Sequence, residues 1–221
     1  MKKVISQTVA FLVITGALLF GSAGRLDWLM GWAYMAILTT SSITILLLGN
    51  CDMLHVRAGK EKGTNIWDPI IAGLAFLLFW PGANIVAALD YGRFHWSPPL
   101  PLSVKLIALL AVALGLAFAS WAMVVNKFFT KCVSIQTERE HVVITTGPYA
   151  YVRHPGYAGS FLAFITLPVA LGSLWALLPA AAGLSLWVLR TFLEDRTLQK
   201  GLEGYTDYTQ KVPWRLIPQI W

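Results

Sequence analysis

Apolar residues fall in long unbroken runs separated by short polar stretches, the pattern of helices that are hydrophobic on every side. Six such runs cover residues 4–24, 28–49, 69–89, 102–126, 157–171 and 174–193. The first four are as long as the roughly 20 residues a helix needs to cross about 30 Å of hydrocarbon. Only Gly172-Ser173 separates the last two, which predicts a tight antiparallel hairpin. The fifth run is short for a span, and Pro168 near its end predicts a bend or an early stop. Lys2-Lys3 ahead of the first run has the form of a signal peptide. That run is long, however, Arg25 follows it and another span begins at once, so a retained helix is expected. The expected fold is all-α: a polytopic integral membrane protein of about six transmembrane helices. Residues 1–126 would form four N-terminal spans, and residues 127–221 a region with the hairpin and a polar tail.

Composition supports the membrane reading. Of 221 residues, 57% are hydrophobic and 13% charged, against about 25% charged in ordinary soluble domains. The mean hydropathy is +0.62. A net charge of +6 invites a nucleic-acid reading, but no basic run is longer than Lys2-Lys3, so nucleic acid is excluded as a partner. Orientation accounts for the charge instead. With six spans, 14 of the 17 Lys and Arg fall on the side of the termini, leaving Arg25, Arg93 and Lys105 opposite. This asymmetry predicts cytoplasmic termini, and with them a cytoplasmic 127–156 stretch. The stretch carrying His55, Arg57, Lys60 and Lys62 is expected to be a solvated loop on the same side. Trp28, Trp67, Trp96 and Trp175 fall near segment ends, as an interfacial aromatic belt requires. Cys51 and Cys132 are isolated, and the four histidines show no metal-ligand spacing, so no metal is expected.

Candidate chemistry gathers late in the chain. Five of the seven tyrosines follow residue 148. Gly147-Pro148 is a turn signal, and Pro155 suits the first turn of a helix, where its missing N–H costs nothing. Arg153 and His154 would then precede the fifth helix, whose first amides and positive dipole end suit an anionic group. Arg190 and Glu194 share a face of the sixth helix as an i,i+4 pair, worth about 0.3–0.5 kcal/mol if exposed. Asp90 and His95 have no visible partner on the far side. Tyr205 and Tyr208 read equally as packing or as ligand contacts.

These residues carry a resemblance. Gly147-x-Tyr149, Arg153-His-Pro-x-Tyr157-x-Gly159, Glu194-Asp195-x-x-Leu198, Gly204-Tyr205-x-x-Tyr208 and Val212-Pro213 resemble the isoprenylcysteine carboxyl methyltransferase family, within a wider group that includes membrane phospholipid methyltransferases. The resemblance spans about residues 126–218. It implies an S-adenosylmethionine-dependent enzyme with a cytoplasmic cofactor pocket and no Rossmann domain; no Gly-x-Gly-x-x-Gly loop is present. Carried over by position, Gln136, His141, Val142, Val143, Ile144, Tyr149, His154, Pro155, Gly156, Tyr157 and Glu194 resemble the cofactor contacts. Arg190 falls where the family holds the acceptor carboxylate, and with Glu194 forms the expected catalytic pair. Gln136 lies closer to His141 than its usual counterpart does, and Asp195 replaces the second glutamate of the usual acidic pair. The segment Trp214-Arg-Leu-Ile-Pro218 is of a bacterial type, which implies a bacterial inner membrane.

The resemblance implies a lipidic or prenylated small acceptor, with S-adenosylhomocysteine as product. Acceptors that are phospholipid amines or small thiols stay open, as does the oligomeric state. A transporter or assembly factor is the non-enzymatic alternative. A transporter should carry ionisable groups at mid-span and broken helices, whereas here polar residues gather at one face.

Overall fold

The computed structural model describes residues 2–49, 66–130 and 132–221. Among them every regular element is helical: α1 (Lys2–Ala23), α2 (Leu29–Leu48), α3 (Trp67–Phe94), α4 (Leu102–Val125), α5 (Pro155–Leu171), α6 (Leu177–Gly201) and the short α7 (Tyr205–Lys211). Cys51, Lys131 and the basic stretch of His55, Arg57, Lys60 and Lys62 lie outside the described residues. Five helices, α1, α2, α3, α4 and α6, are long and apolar enough to cross a membrane. The sixth apolar helix, α5, has 17 residues, about 25 Å at 1.5 Å per residue. Exposed side chains such as Leu47, Leu74, Leu110 and Leu114 coat the bundle with hydrocarbon. This is a multi-pass membrane protein.

Three local expectations change. α5 begins at Pro155 and runs through Pro168 to Leu171, ending at Gly172, whose φ of 88° needs no Cβ. The helix before α6 therefore does not stop early, because Pro168 lies in its last turn. The connection to α6 occupies residues 172–176 rather than two residues, since α6 starts only at Leu177. Trp28 is 1% exposed and stacks on Tyr91 at 4.7 Å. It packs the core between α1, α2 and α3 instead of anchoring an interface.

Small residues set how closely the helices approach. Gly115 and Ala119 on α4 face Gly159 and Ala163 on α5, two small-xxx-small pairs of the kind that lets membrane helices touch backbone to backbone. A Cβ on Gly115 would stand 2.6 Å from Gly159 O and 2.7 Å from Ala163 N, and one on Gly159 would stand 2.6 Å from Ala119 N. The final glycine of the 153–159 motif is thus explained by packing. α6 crosses α3 in the same manner, with Gly183 against Phe79 N and Ala75 O. There α3 passes through a π-helical turn at Leu78–Gly82, where Pro81 supplies no N–H to the ladder.

At the end of the bundle away from α7, Asp90 is 1% exposed. It accepts from Ser97 N at 2.9 Å and from the hydroxyls of Ser97 and Ser173, each at 2.5 Å. These bonds fasten the α3–α4 and α5–α6 connections together, so the aspartate that had no visible partner in sequence closes that end.

Substituting Gly115 or Gly159 by Ala should destabilise the protein by about 1–3 kcal/mol, the usual cost of overpacking. Gly21→Ala, where a Cβ meets nothing within 4 Å, should leave stability unchanged. Unfolding in detergent micelles checks this; equal effects at all three positions would reject the close α4–α5 contact.

Candidate functional site

The approach to α5 is shaped residue by residue. After α4, Asn126 caps the next turn by accepting from Phe128 N at 2.9 Å, and its amide donates to Tyr149 Oη at 3.0 Å. Gly147 takes a φ of 60°, and Pro148 opens a single 3-10 turn over Gly147–Ala150. Arg153 N–H and His154 N–H then donate to Trp214 O at 2.9 Å and Arg215 O at 3.0 Å, binding the tail to the motif. The amides just ahead of α5 are therefore already taken by the chain itself. His154 O accepts from Tyr157 N and Ala158 N, both at 3.0 Å, and Pro155 occupies the first helical position. Gly156 leaves room for the Phe129 ring, which would lie 2.6 Å from a Cβ there.

Asp195 is the centre of this end of the molecule. Its side chain is fully buried, and it accepts from Arg153 Nε at 2.8 Å and Nη2 at 3.0 Å, Arg215 Nε at 2.8 Å, Gln199 Nε2 at 2.8 Å and Tyr205 Oη at 3.0 Å. His154 Nε2 lies 3.2 Å from the same carboxylate. A carboxylate only accepts, so this contact places a His154 proton on Nε2, while Nδ1 lies 4.0 Å from Glu194 Oε1. Burial works against the charge on Arg153, but its hydrogen bond and attraction to Asp195 hold its pKa above the ordinary value. Burial and the Asp195 carboxylate raise that of Tyr205.

Arg190 is 2% exposed and pairs elsewhere than expected. Its Nε donates to Asp68 Oδ1 at 2.7 Å and its Nη2 to Asp68 Oδ2 at 3.4 Å. Its Nη1 donates to the Tyr157 hydroxyl, which in turn donates to Glu194 Oε2. The i,i+4 partners on α6 are thus linked through Tyr157, and the guanidinium's ion pair is with the first turn of α3. Tyr157 and Trp187 place their rings 5.3 and 5.2 Å from its Cζ.

A partly open cleft lies beside these groups. His141, Val142, Val143, Ile144, Tyr149, His154, Gly156, Tyr157 and Glu194 line it, with Phe128, Tyr205 and Tyr208. Gln136, Pro155 and Arg190 do not. The Gln136 amide is engaged with Phe128 O at 2.7 Å and with Arg139, and Arg190 stands behind Tyr157. His141 lies against Phe128 at 4.4 Å; burial, then the charge of Arg139, push its pKa down to about 4, so it is neutral at pH 7. Among the described residues no group of His, Cys, Asp and Glu has the arrangement of a metal site.

Known proteins resemble this chain in sequence and in fold. A profile of the phospholipid methyltransferase family matches residues 104–203. The protein-S-isoprenylcysteine O-methyltransferase of Schizosaccharomyces pombe is 28% identical over 162 residues, 69% of this chain and 67% of that protein. The structure of the eukaryotic intramembrane Ras methyltransferase, an isoprenylcysteine carboxyl methyltransferase, superposes with a TM-score of 0.60. That alignment covers 98% of this chain and 77% of the other at 21% identity, a likeness of fold. The chain is thus similar in sequence and in fold to isoprenylcysteine carboxyl methyltransferases. Its fold is the membrane-embedded helical one of that structure.

Four parts of this site were not placed by the sequence. Asp68 adjoins an apolar run 122 residues from its partner and carries no local motif. Asp195 read only as a replaced glutamate, although its saturation with donors organises the whole end. Tyr205 and Tyr208 are both buried on the cleft, Tyr208 donating to Tyr149 O at 2.6 Å; their i,i+3 spacing was the available signal.

Asp195→Asn should cost about 3–5 kcal/mol of stability, because it strands buried cations without their counter-charge. Asp207→Asn, exposed on α7, should change stability by less than about 0.5 kcal/mol. Unfolding midpoints in detergent measure both; equal midpoints would deny Asp195 its central place.

Proposed function

We propose that the chain transfers a methyl group from S-adenosylmethionine to the carboxylate of a lipidic, prenylcysteine-like acceptor, on the cytoplasmic side of the membrane. The observation that carries this reading is the position of Tyr157. On one side of it lies the polar cleft with Glu194. On the other lies Arg190, one helical turn deeper along α6 toward the bilayer.

The cleft residues suit the cofactor. Glu194 is partly exposed on the wall and, unlike Asp195, keeps acceptor capacity for a cationic or hydroxyl-bearing ligand. Phe128, Tyr149 and neutral His141 offer ring surface, and Val142 to Ile144 give an apolar strip. S-Adenosylmethionine supplies a methyl group already activated by a sulfonium sulfur. Asp195 fixes His154 by its Nε2, and His154 with Tyr157 closes the cleft at its inner end. Arg190 orients the acceptor carboxylate, which is ionised at pH 7 and needs no general base. A planar guanidinium suits that task as a bidentate donor. Separating the guanidinium from the cleft also keeps like charges apart, since it would repel a bound sulfonium. A lipid-attached acceptor would enter sideways between helices, and the 14-to-3 charge split supports a cleft on the cytoplasmic side, where a water-soluble cofactor is found.

His154→Ala and Glu194→Gln should each weaken S-adenosylhomocysteine binding by about tenfold or more, the loss of one charge-assisted contact. Arg190→Lys should lower turnover while leaving that affinity within about threefold, since lysine keeps the charge and loses the fork. Calorimetric titration and turnover on the same preparations separate the roles. Wild-type binding in both cleft variants would reject the cofactor site. Lost cofactor binding in Arg190→Lys would reject the acceptor role, and near-normal turnover there would point to an amine or thiol acceptor.

A further inference from the structure

We propose that Asp68 is a positioning residue for the reaction, acting through Arg190; this rests on the acceptor role assigned to that arginine. Asp68 is fully buried in the first turn of α3, where a carboxylate suits the positive end of the helix. It meets Arg190 along the Nε and Nη2 edge, at 2.7 and 3.4 Å. That choice of edge fixes which side of the guanidinium faces the reaction: Nη1 is turned to Tyr157 and, through the Tyr157 hydroxyl, to Glu194.

Without Asp68 the geometry has a different minimum. Glu194 is one helical turn from Arg190 and only a hydroxyl away. A guanidinium released from Asp68 would turn to it as the nearest remaining carboxylate, forming the direct i,i+4 pair that helix geometry favours. Arg190 would then be drawn from the acceptor side toward the cofactor side. Asp68 prevents that by competing for the same cation from the opposite helix. It also accepts from Val133 N at 2.8 Å, and Val133 lines the cleft. One carboxylate thus sets the arginine and the 132–134 wall of the cleft in a common register. Neither the family motif nor the 104–203 match reaches this residue.

The test is a double-mutant cycle on the full chain in lipid nanodiscs, with S-adenosylmethionine and a prenylated cysteine as substrates. Asp68→Asn, nearly isosteric, should lower turnover about 10- to 100-fold, the cost of a misplaced orienting group, and leave S-adenosylhomocysteine affinity within about threefold. Asp68→Glu, which restores the charge, should recover part of the turnover. The Asp68→Asn/Arg190→Lys pair should fall no more than about twofold below Arg190→Lys alone, because residues acting as one unit are not additive. Additive losses would overturn the proposal, as would equal loss of folded protein in the Asn and Glu variants, which would make Asp68 purely structural. If Arg190→Lys alone has near-normal turnover while Asp68→Asn does not, the acceptor role of the arginine fails, and the positioning role with it.

Discussion

A carboxylate stripped of water beside a hydrocarbon layer must be surrounded by donors, and Asp195 draws its donors from four separate parts of the chain. Arg153 and His154 come from the turn before α5, Gln199 from its own helix, Tyr205 from α7 and Arg215 from the tail. Leaving such a charge unpaired costs several kcal/mol, so these segments are held together wherever Asp195 is buried. The backbone bonds from Arg153 and His154 to Trp214 and Arg215 follow the same closure. The cleft exists because this cluster forms its inner wall.

Two buried acidic residues divide the work. Asp195 gathers cations on the cleft side and holds the His154 ring by Nε2, while Asp68 holds Arg190 on the side of the bilayer. Glu194 lies between them, less buried and less fully bonded, on the wall of the cleft. Tyr157 stands at the boundary, its hydroxyl bridging Arg190 and Glu194. Ionisable groups near membrane depth are expensive. Here they occur as mutually compensating clusters at one end of the bundle, while the opposite end is closed by Asp90 with neutral hydroxyls.

The spans were legible in sequence because continuous apolar runs have one physical meaning at this length. The site region was legible because glycine, proline and paired charges at residues 147–159 and 190–195 are costly there without a purpose. What escaped reading depends on contacts far apart in the chain. Arg190 showed its local neighbour Glu194 at i+4 but not Asp68, which the fold brings in from α3. Gly159 looked like part of a chemical motif, whereas its meaning is the backbone of α4 pressed against it. Trp28 matched an interfacial anchor by position, yet Tyr91 and Phe20 enclose it. Gln136 matched the cofactor strip by position, and its amide is engaged within the 128–139 turn.

The central claim is that a carboxylate on a lipid-borne acceptor receives the methyl group. Purified protein in nanodiscs, given S-adenosylmethionine with a tritiated methyl group and a prenylated cysteine bearing a free carboxylate, tests it directly. A methyl ester releases its label as volatile methanol on mild base treatment, and this account predicts label in that form. Label that resists base, or that moves only to amine or thiol acceptors offered in parallel, would contradict it.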